Sequence, residues 1–217
     1  MLKNKKSNFY VSALFLILFI TWTAAVCLID RRPIGAGGTH IGFATINEYV
    51  HRLCGVHMSL YTLTDTLSVI PIGIMLLNAA AGLVQWIRRK DIRRIDGAIL
   101  YAGVIYAILF AVFIVFEIFP VNFRPILING SLEASYPSST TMLTMTVMIC
   151  GILQVRSGFR PTVIRRLCEI VFVFFTVFMV AARIVSGVHW FTDIIGGVLV
   201  SLSLSASYAY MLQKRAR

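Results

Sequence analysis

The chain has 217 residues, 58% of them hydrophobic and 13% charged, with a net charge of +11 and a mean hydropathy of +0.83. A soluble domain carries roughly a quarter charged residues, so a soluble fold is excluded. The basic excess falls in short clusters between apolar runs, which argues against a nucleic-acid partner.

Six apolar runs, at about 9–29, 60–86, 97–119, 138–155, 167–184 and 190–212, approach the roughly 20 residues a helix needs to cross a hydrocarbon core. Barrel strands alternate apolar and polar residues, and these runs do not. The first run is too long for a signal peptide and has no small-residue cleavage site after it. The sequence predicts an all-α six-helix membrane bundle, a single domain over residues 1–217. Cys27, Cys54, Cys150 and Cys168 have no paired spacing and read as small hydrophobes.

Lys3, Lys5 and Lys6 precede the first run, and Arg88, Arg89, Lys90, Arg93 and Arg94 follow the second. Arg156, Arg160, Arg165 and Arg166 follow the fourth, and Lys214, Arg215 and Arg217 close the chain. The alternate loops hold only Arg31, Arg32, Arg52, Arg124 and Arg183. The positive-inside rule then predicts cytoplasmic termini, and such a compact, charge-asymmetric chain suits a bacterial cytoplasmic membrane. Between the first two runs, Ile46, Tyr49, Val50, Leu53 and Val56 recur at helical spacing with Asn47, Glu48, His51 and Arg52 between them. That is the pattern of a short amphipathic helix on the outer surface, either a cover for the bundle or a lip over a headgroup site.

Two outer loops carry the polar residues. The first holds Glu117, Arg124-Pro125 and Glu133, and ends in Tyr136-Pro137-Ser138-Ser139-Thr140, a helix start whose free N–H groups favour an anion. The second runs from Arg183 to His189 and Asp193. At a spacing of four, Asp193 can hold one imidazole nitrogen of His189 and leave the other as a base or nucleophile. Taken singly, Arg124 and Arg183 read equally well as interfacial anchors, and Asp193 as a helix cap.

Together these residues resemble the type 2 phosphatidic acid phosphatase family, which shares its site with vanadium haloperoxidases. Its motifs are Lys-x6-Arg-Pro, Pro-Ser-Gly-His and Ser-Arg-x5-His-x3-Asp. Here they stand as Glu117-x6-Arg124-Pro125, Pro137-Ser138-Ser139-Thr140 and Ala182-Arg183-x5-His189-x3-Asp193, within residues 117–193. The resemblance implies hydrolysis of a phosphorylated lipid at the extracytoplasmic face through a phosphohistidine. His189 would be the nucleophile and Asp193 its partner, with Arg124, Arg183, Ser138 and Ser139 holding the phosphate. It implies no metal and no other cofactor.

Two motif positions depart from the pattern. Glu117 replaces a lysine, and Thr140 replaces the histidine that protonates the leaving group, a loss of about 10²–10⁴-fold for a general acid. An alkoxide, with a conjugate acid like water at a pKa of about 15.7, leaves badly without that proton. A phosphate, with a second pKa of about 6, leaves well. A lipid diphosphate such as a polyprenyl diphosphate is therefore the expected substrate. His40, His51, His57 and Asp65 are alternative proton sources. Asp65, the one to test first, reads equally as a polar residue bonded between helices. The contrasting reading is a catalytically reduced relative that binds or transports a phosphorylated lipid. Pro71 and Gly73 are the only hint of a transporter-like broken helix.

Overall fold

The computed structural model describes residues 5–158 and 162–215; Lys3, Arg160 and Arg217 of the basic clusters lie outside them. The described residues form eight α-helices: α1 Lys5–Leu28, α2 Ala44–Cys54, α3 Met58–Leu67, α4 Val69–Arg89, α5 Gly97–Ile118, α6 Ser139–Gly158, α7 Val163–Val185 and α8 Phe191–Arg215. No strand joins them among the described residues.

Among the described residues, five helical stretches are long and apolar enough to cross a membrane: Lys6–Leu28, Met58–Arg89, Gly97–Ile118, Val163–Val185 and Phe191–Gln213. The fourth expected span, 138–155, is the helix α6, but it does not meet that criterion. Its first turns carry Thr140, Thr141, Thr144 and Thr146, all buried. It is enclosed by α4, α5, α7 and α8, so its side chains are never chosen for lipid. The lipid-type surface lies on the other helices, where Leu14, Ile17, Leu77, Phe110 and Phe174 point outward.

The second apolar run is two helices with a turn at Ser68. Pro71 has no N–H to offer and its ring crowds the carbonyl of Leu67 four residues back. The break falls there, leaving Pro71 in the first turn of α4 where it is tolerated. Ser68 satisfies the turn by donating its backbone N–H to Thr64 and Asp65, and its hydroxyl to Thr64.

Helices α1 and α8 lie antiparallel. Ser12 and Ser207 hydroxyls bond at 2.6 Å near the start of one and the end of the other. At the opposite end Trp22 Nε1 donates to the Thr192 carbonyl at 3.1 Å. The site loops at 119–138 and 186–190 gather at that second end, with α2 beside them.

The apolar stripe of α2 points away from the bundle, with Ile46, Tyr49 and Leu53 exposed. Its polar Asn47 is the buried residue: its amide donates to Gly42 O at 2.8 Å and Thr192 Oγ1 at 2.9 Å, and its carbonyl accepts from Thr192 N at 3.1 Å. Asn47 thus caps a free N–H in the first turn of α8 from outside that helix, while its neighbours offer an apolar face to a bilayer surface. Replacing Asn47 by Leu leaves the Thr192 N–H without its partner and destabilises the protein by about 1–3 kcal/mol, readable as an earlier thermal unfolding transition in detergent.

Candidate active site

The loop 119–138 is a hairpin rather than an irregular connection. Arg124 N donates to Glu133 O at 3.1 Å, Ser135 N to Asn122 O at 2.9 Å, and Ile128 and Ser131 exchange both bonds. Asn129 and Gly130 turn it, both at positive φ, the conformation a two-residue Asn-Gly turn favours. The hairpin sets Arg124 opposite Glu133, and Trp190 Nε1 ties it to the other site loop by donating to Phe123 O at 2.7 Å.

His189 lies in the bend before α8, 4% exposed. Its Nδ1 is 3.1 Å from the Ser135 carbonyl, and its Nε2 is 3.2 Å from Arg124 Nη1. A carbonyl only accepts and a guanidinium only donates, so the proton sits on Nδ1 and the Nε2 lone pair faces Arg124. Burial, first, and the charges of Arg124 and Arg183 lower the histidine's pKa to about 4, against a raising pull from Asp193. The ring is neutral at pH 7.

Asp193 does not bond His189 directly; its Oδ2 stands 3.8 Å from Nδ1. The carboxylate instead accepts from Asn122 Nδ2 at 3.0 Å and from Trp190 N at 3.0 Å. The second bond runs from the third residue of α8 back to its start, as in a capping box. Asp193 therefore joins α8 to the hairpin and acts on His189 through its field.

The two arginines converge. Arg183, 1% exposed, donates from Nη1 to Thr64 Oγ1 at 3.2 Å and from Nη2 to Thr140 Oγ1, with Asp65 Oδ1 at 3.5 Å. Arg124 Nε is 3.0 Å from Glu133 Oε2. Both guanidinium groups lie over the ring of Tyr61, at 5.6 Å for Arg124 and 4.8 Å for Arg183.

Thr140 thus holds Arg183. Ser138 is fully buried, its N–H donated to Asp193 O at 3.0 Å and its Oγ accepting from Thr141 at 3.1 Å, so that N–H is not free for a ligand. Ser139 borders a cavity of about 320 Å³ that also meets Glu117, Arg124, Glu133, Ser135 and His189. Of the alternative proton sources, Asp65 reaches the site, through Arg183, and its side chain is open rather than sealed between helices. His40 and His57 are exposed and His51 packs against Trp190.

A second, mostly apolar cleft of about 440 Å³ runs from Asp65, Ser139 and Thr140 between α4, α5 and α6, past Ile72, Leu109 and Phe110. It shares Phe113, Ser139 and Met142 with the first cavity. Polar site and apolar cleft are adjoining spaces.

The approach of the loops depends on Gly187. Its φ is +65, in the left-handed region, and a Cβ there would lie 1.8 Å from the Gly55 carbonyl oxygen.

This is a helical membrane bundle with a buried histidine and two arginines at one end, the layout of a membrane phosphatase. The PAP2 superfamily model matches residues 113–217, the stretch that contains all three motifs. The chain is also similar in fold to a structure described as the first transmembrane PAP2 type phosphatidylglycerolphosphate phosphatase from Bacillus subtilis. That similarity has a TM-score of 0.63 at 17% identity, covering 92% of this chain and 94% of that one. No curated protein matches the chain in sequence.

Because the histidine's pKa is lower folded than unfolded, the unfolded chain binds the proton more readily. His189 contributes stability in full above about pH 6.5, and loses it as pH falls toward about 4. In histidine-labelled protein, NMR should find His189 as the Nδ1–H tautomer at pH 7 with a titration midpoint near 4; a midpoint near 6.5 contradicts the buried, cation-flanked ring.

Proposed function

We propose that the protein hydrolyses a phosphorylated lipid at the extracytoplasmic face of a membrane, with a lipid diphosphate as its preferred substrate. The observation that carries this reading is the fixed tautomer of His189, with Nε2 unprotonated beside Arg124. A phosphoryl group drawn to Arg124 and Arg183 takes over the guanidinium N–H groups and frees the lone pair for attack.

Nε2 forms a bond to phosphorus as the bond to the leaving oxygen breaks, and the lipid departs as its monophosphate. The ring then carries positive charge, with its Nδ1–H on the Ser135 carbonyl and the Asp193 carboxylate at 3.8 Å. Asp193 stabilises that charge without having to take the proton. Water then attacks phosphorus, the P–N bond breaks, and inorganic phosphate leaves with His189 restored.

The apolar cleft against Ser139 and Thr140 supports a substrate with a hydrocarbon tail. The concentration of Arg88, Arg89, Lys90, Arg93 and Arg94 at and just after the end of α4 supports an outward-facing site, since the site lies at the other end of the bundle. Thr140 is committed to Arg183 as an acceptor, and a threonine hydroxyl is no practical proton donor. That favours a leaving group that needs none.

The alternative, a relative that binds or transports a phosphorylated lipid without turning it over, draws on the same two departures, Glu117 and Thr140.

Phosphate release by the purified protein in detergent, from farnesyl diphosphate and from phosphatidic acid, tests the proposal. The diphosphate should be the faster substrate, and His189→Ala should lower its turnover by about three orders of magnitude or more. Acid-labile phosphate should appear on wild-type protein in a rapid quench and be missing from the variant. Equal or faster turnover of phosphatidic acid rejects the diphosphate preference, and binding of both lipids with no release favours the transport reading.

A further inference from the structure

Water that frees phosphate from His189 has to lose a proton as it attacks. Thr140 cannot take it: a hydroxyl that already accepts from Arg183 is no base near neutral pH. The carboxylates around the site are the candidates, and their surroundings separate them. Asp193 is fully buried and held by Asn122 and Trp190. Glu133 is paired with Arg124, and Glu133 and Glu117 both border the polar cavity on the side of His189.

Asp65 stands on the other side of the arginine pair. His189 Nε2 lies against Arg124 at 3.2 Å. Asp65 Oδ1 lies instead 3.5 Å from Arg183 Nη2, the nitrogen that also donates to Thr140 Oγ1. With Ser139 and Thr140, Asp65 borders the head of the apolar cleft. Its side chain is 62% exposed, so water reaches the carboxylate. An ionisable side chain kept open at the lip of an apolar cleft in a membrane bundle marks function.

Phosphoryl transfer runs with the attacking and leaving groups roughly in line through phosphorus. With His189 on one side and the lipid tail in the cleft on the other, the leaving oxygen points toward the head of the cleft. Once the lipid monophosphate has gone, water attacks from that vacated side, opposite Nε2. Asp65 is the carboxylate that borders it.

We infer that Asp65 is the general base of the dephosphorylation step. Its carboxylate takes a proton from water as the O–P bond forms. The P–N bond breaks with its electron pair returning to His189 Nε2, and Asp65 passes the proton to solvent as phosphate leaves. The inference rests on the phosphohistidine reading proposed above and goes beyond it. The first step relies on the stability of the leaving group, and the second on Asp65.

Rapid-quench kinetics of the full-length protein in detergent, with farnesyl diphosphate labelled in its terminal phosphate, resolve the two steps. Asp65→Asn keeps an acceptor for Arg183 and removes the base. It should form acid-labile phosphoprotein in a burst as fast as wild type, the burst amplitude counting folded sites. It should then release phosphate about 10²-fold more slowly, so that phosphoprotein accumulates toward full occupancy. Added formate should speed release from Asp65→Ala and leave wild type unchanged. A burst and a release slowed together, without accumulation, mean that Asp65 only positions Arg183, and overturn the inference. Release at the wild-type rate from both variants overturns it too. Either result, with phosphoprotein present on wild type, removes the base and keeps the hydrolase. Wild-type protein that forms no phosphoprotein rejects the phosphohistidine and the base together.

Discussion

Two guanidinium groups lie against one tyrosine ring at the end of this bundle, and both are almost sealed from water. Removing a charge from water is expensive unless bonds and opposite charges replace the lost hydration. The chain meets that demand from separated segments: Thr64 and Asp65 from α3, Glu133 from the hairpin, Thr140 from α6. These contacts can coexist only if the three segments meet, so the arginines dictate how the loops close. Gly187 beside Gly55, the Asn-Gly turn and the Asn47 cap on α8 are the devices that let them meet.

The compensation is deliberately incomplete. Arg183 is held within hydrogen-bond distance by two hydroxyls, which orient a cation without cancelling it, while Asp65 stays at 3.5 Å with an open side chain. Its Nε has no hydrogen-bond partner. A buried cation kept short of partners favours an anion that completes the set, which is preorganised electrostatic stabilisation in structural form. The same field, together with burial, keeps His189 neutral. The two arginines that offer this anion site are therefore also charges that help keep His189 unprotonated.

Much of this was legible in the sequence because it depends on short-range pattern. The lengths of the apolar runs predicted five of the six spans, and the spacing of Ile46, Tyr49 and Leu53 predicted α2. The spacing Arg183-x5-His189-x3-Asp193 marked the centre. What escaped depends on contacts between distant segments. Tyr61, Thr64, Asn122 and Ser135 are ordinary residues in their own segments and take on meaning only where loops converge. Asn129-Gly130 was a readable hairpin signal, passed over because the surrounding loop has no strand alternation. Run 138–155 was expected as a span because its hydropathy was read without neighbours; the bundle encloses α6, so threonines are tolerated there. The direct Asp193–His189 bond expected from spacing gives way because Asn122 and Trp190 occupy the carboxylate.

Thr140 and Glu117 are best understood together. A histidine at position 140 would offer the leaving group a proton; a threonine offers Arg183 a compact acceptor and nothing to the leaving group. A site without that acid is suited to esters whose leaving oxygen is already stable as an anion, and a lipid diphosphate supplies one. But a diphosphate carries more negative charge than a monophosphate, and Glu117 adds another negative charge to the same cavity. The two departures pull in opposite directions if only protein charges are counted. On the proposed reading the missing acid selects the leaving group, while the exposed Glu117 is screened by water and weighs less than the buried Arg124 and Arg183.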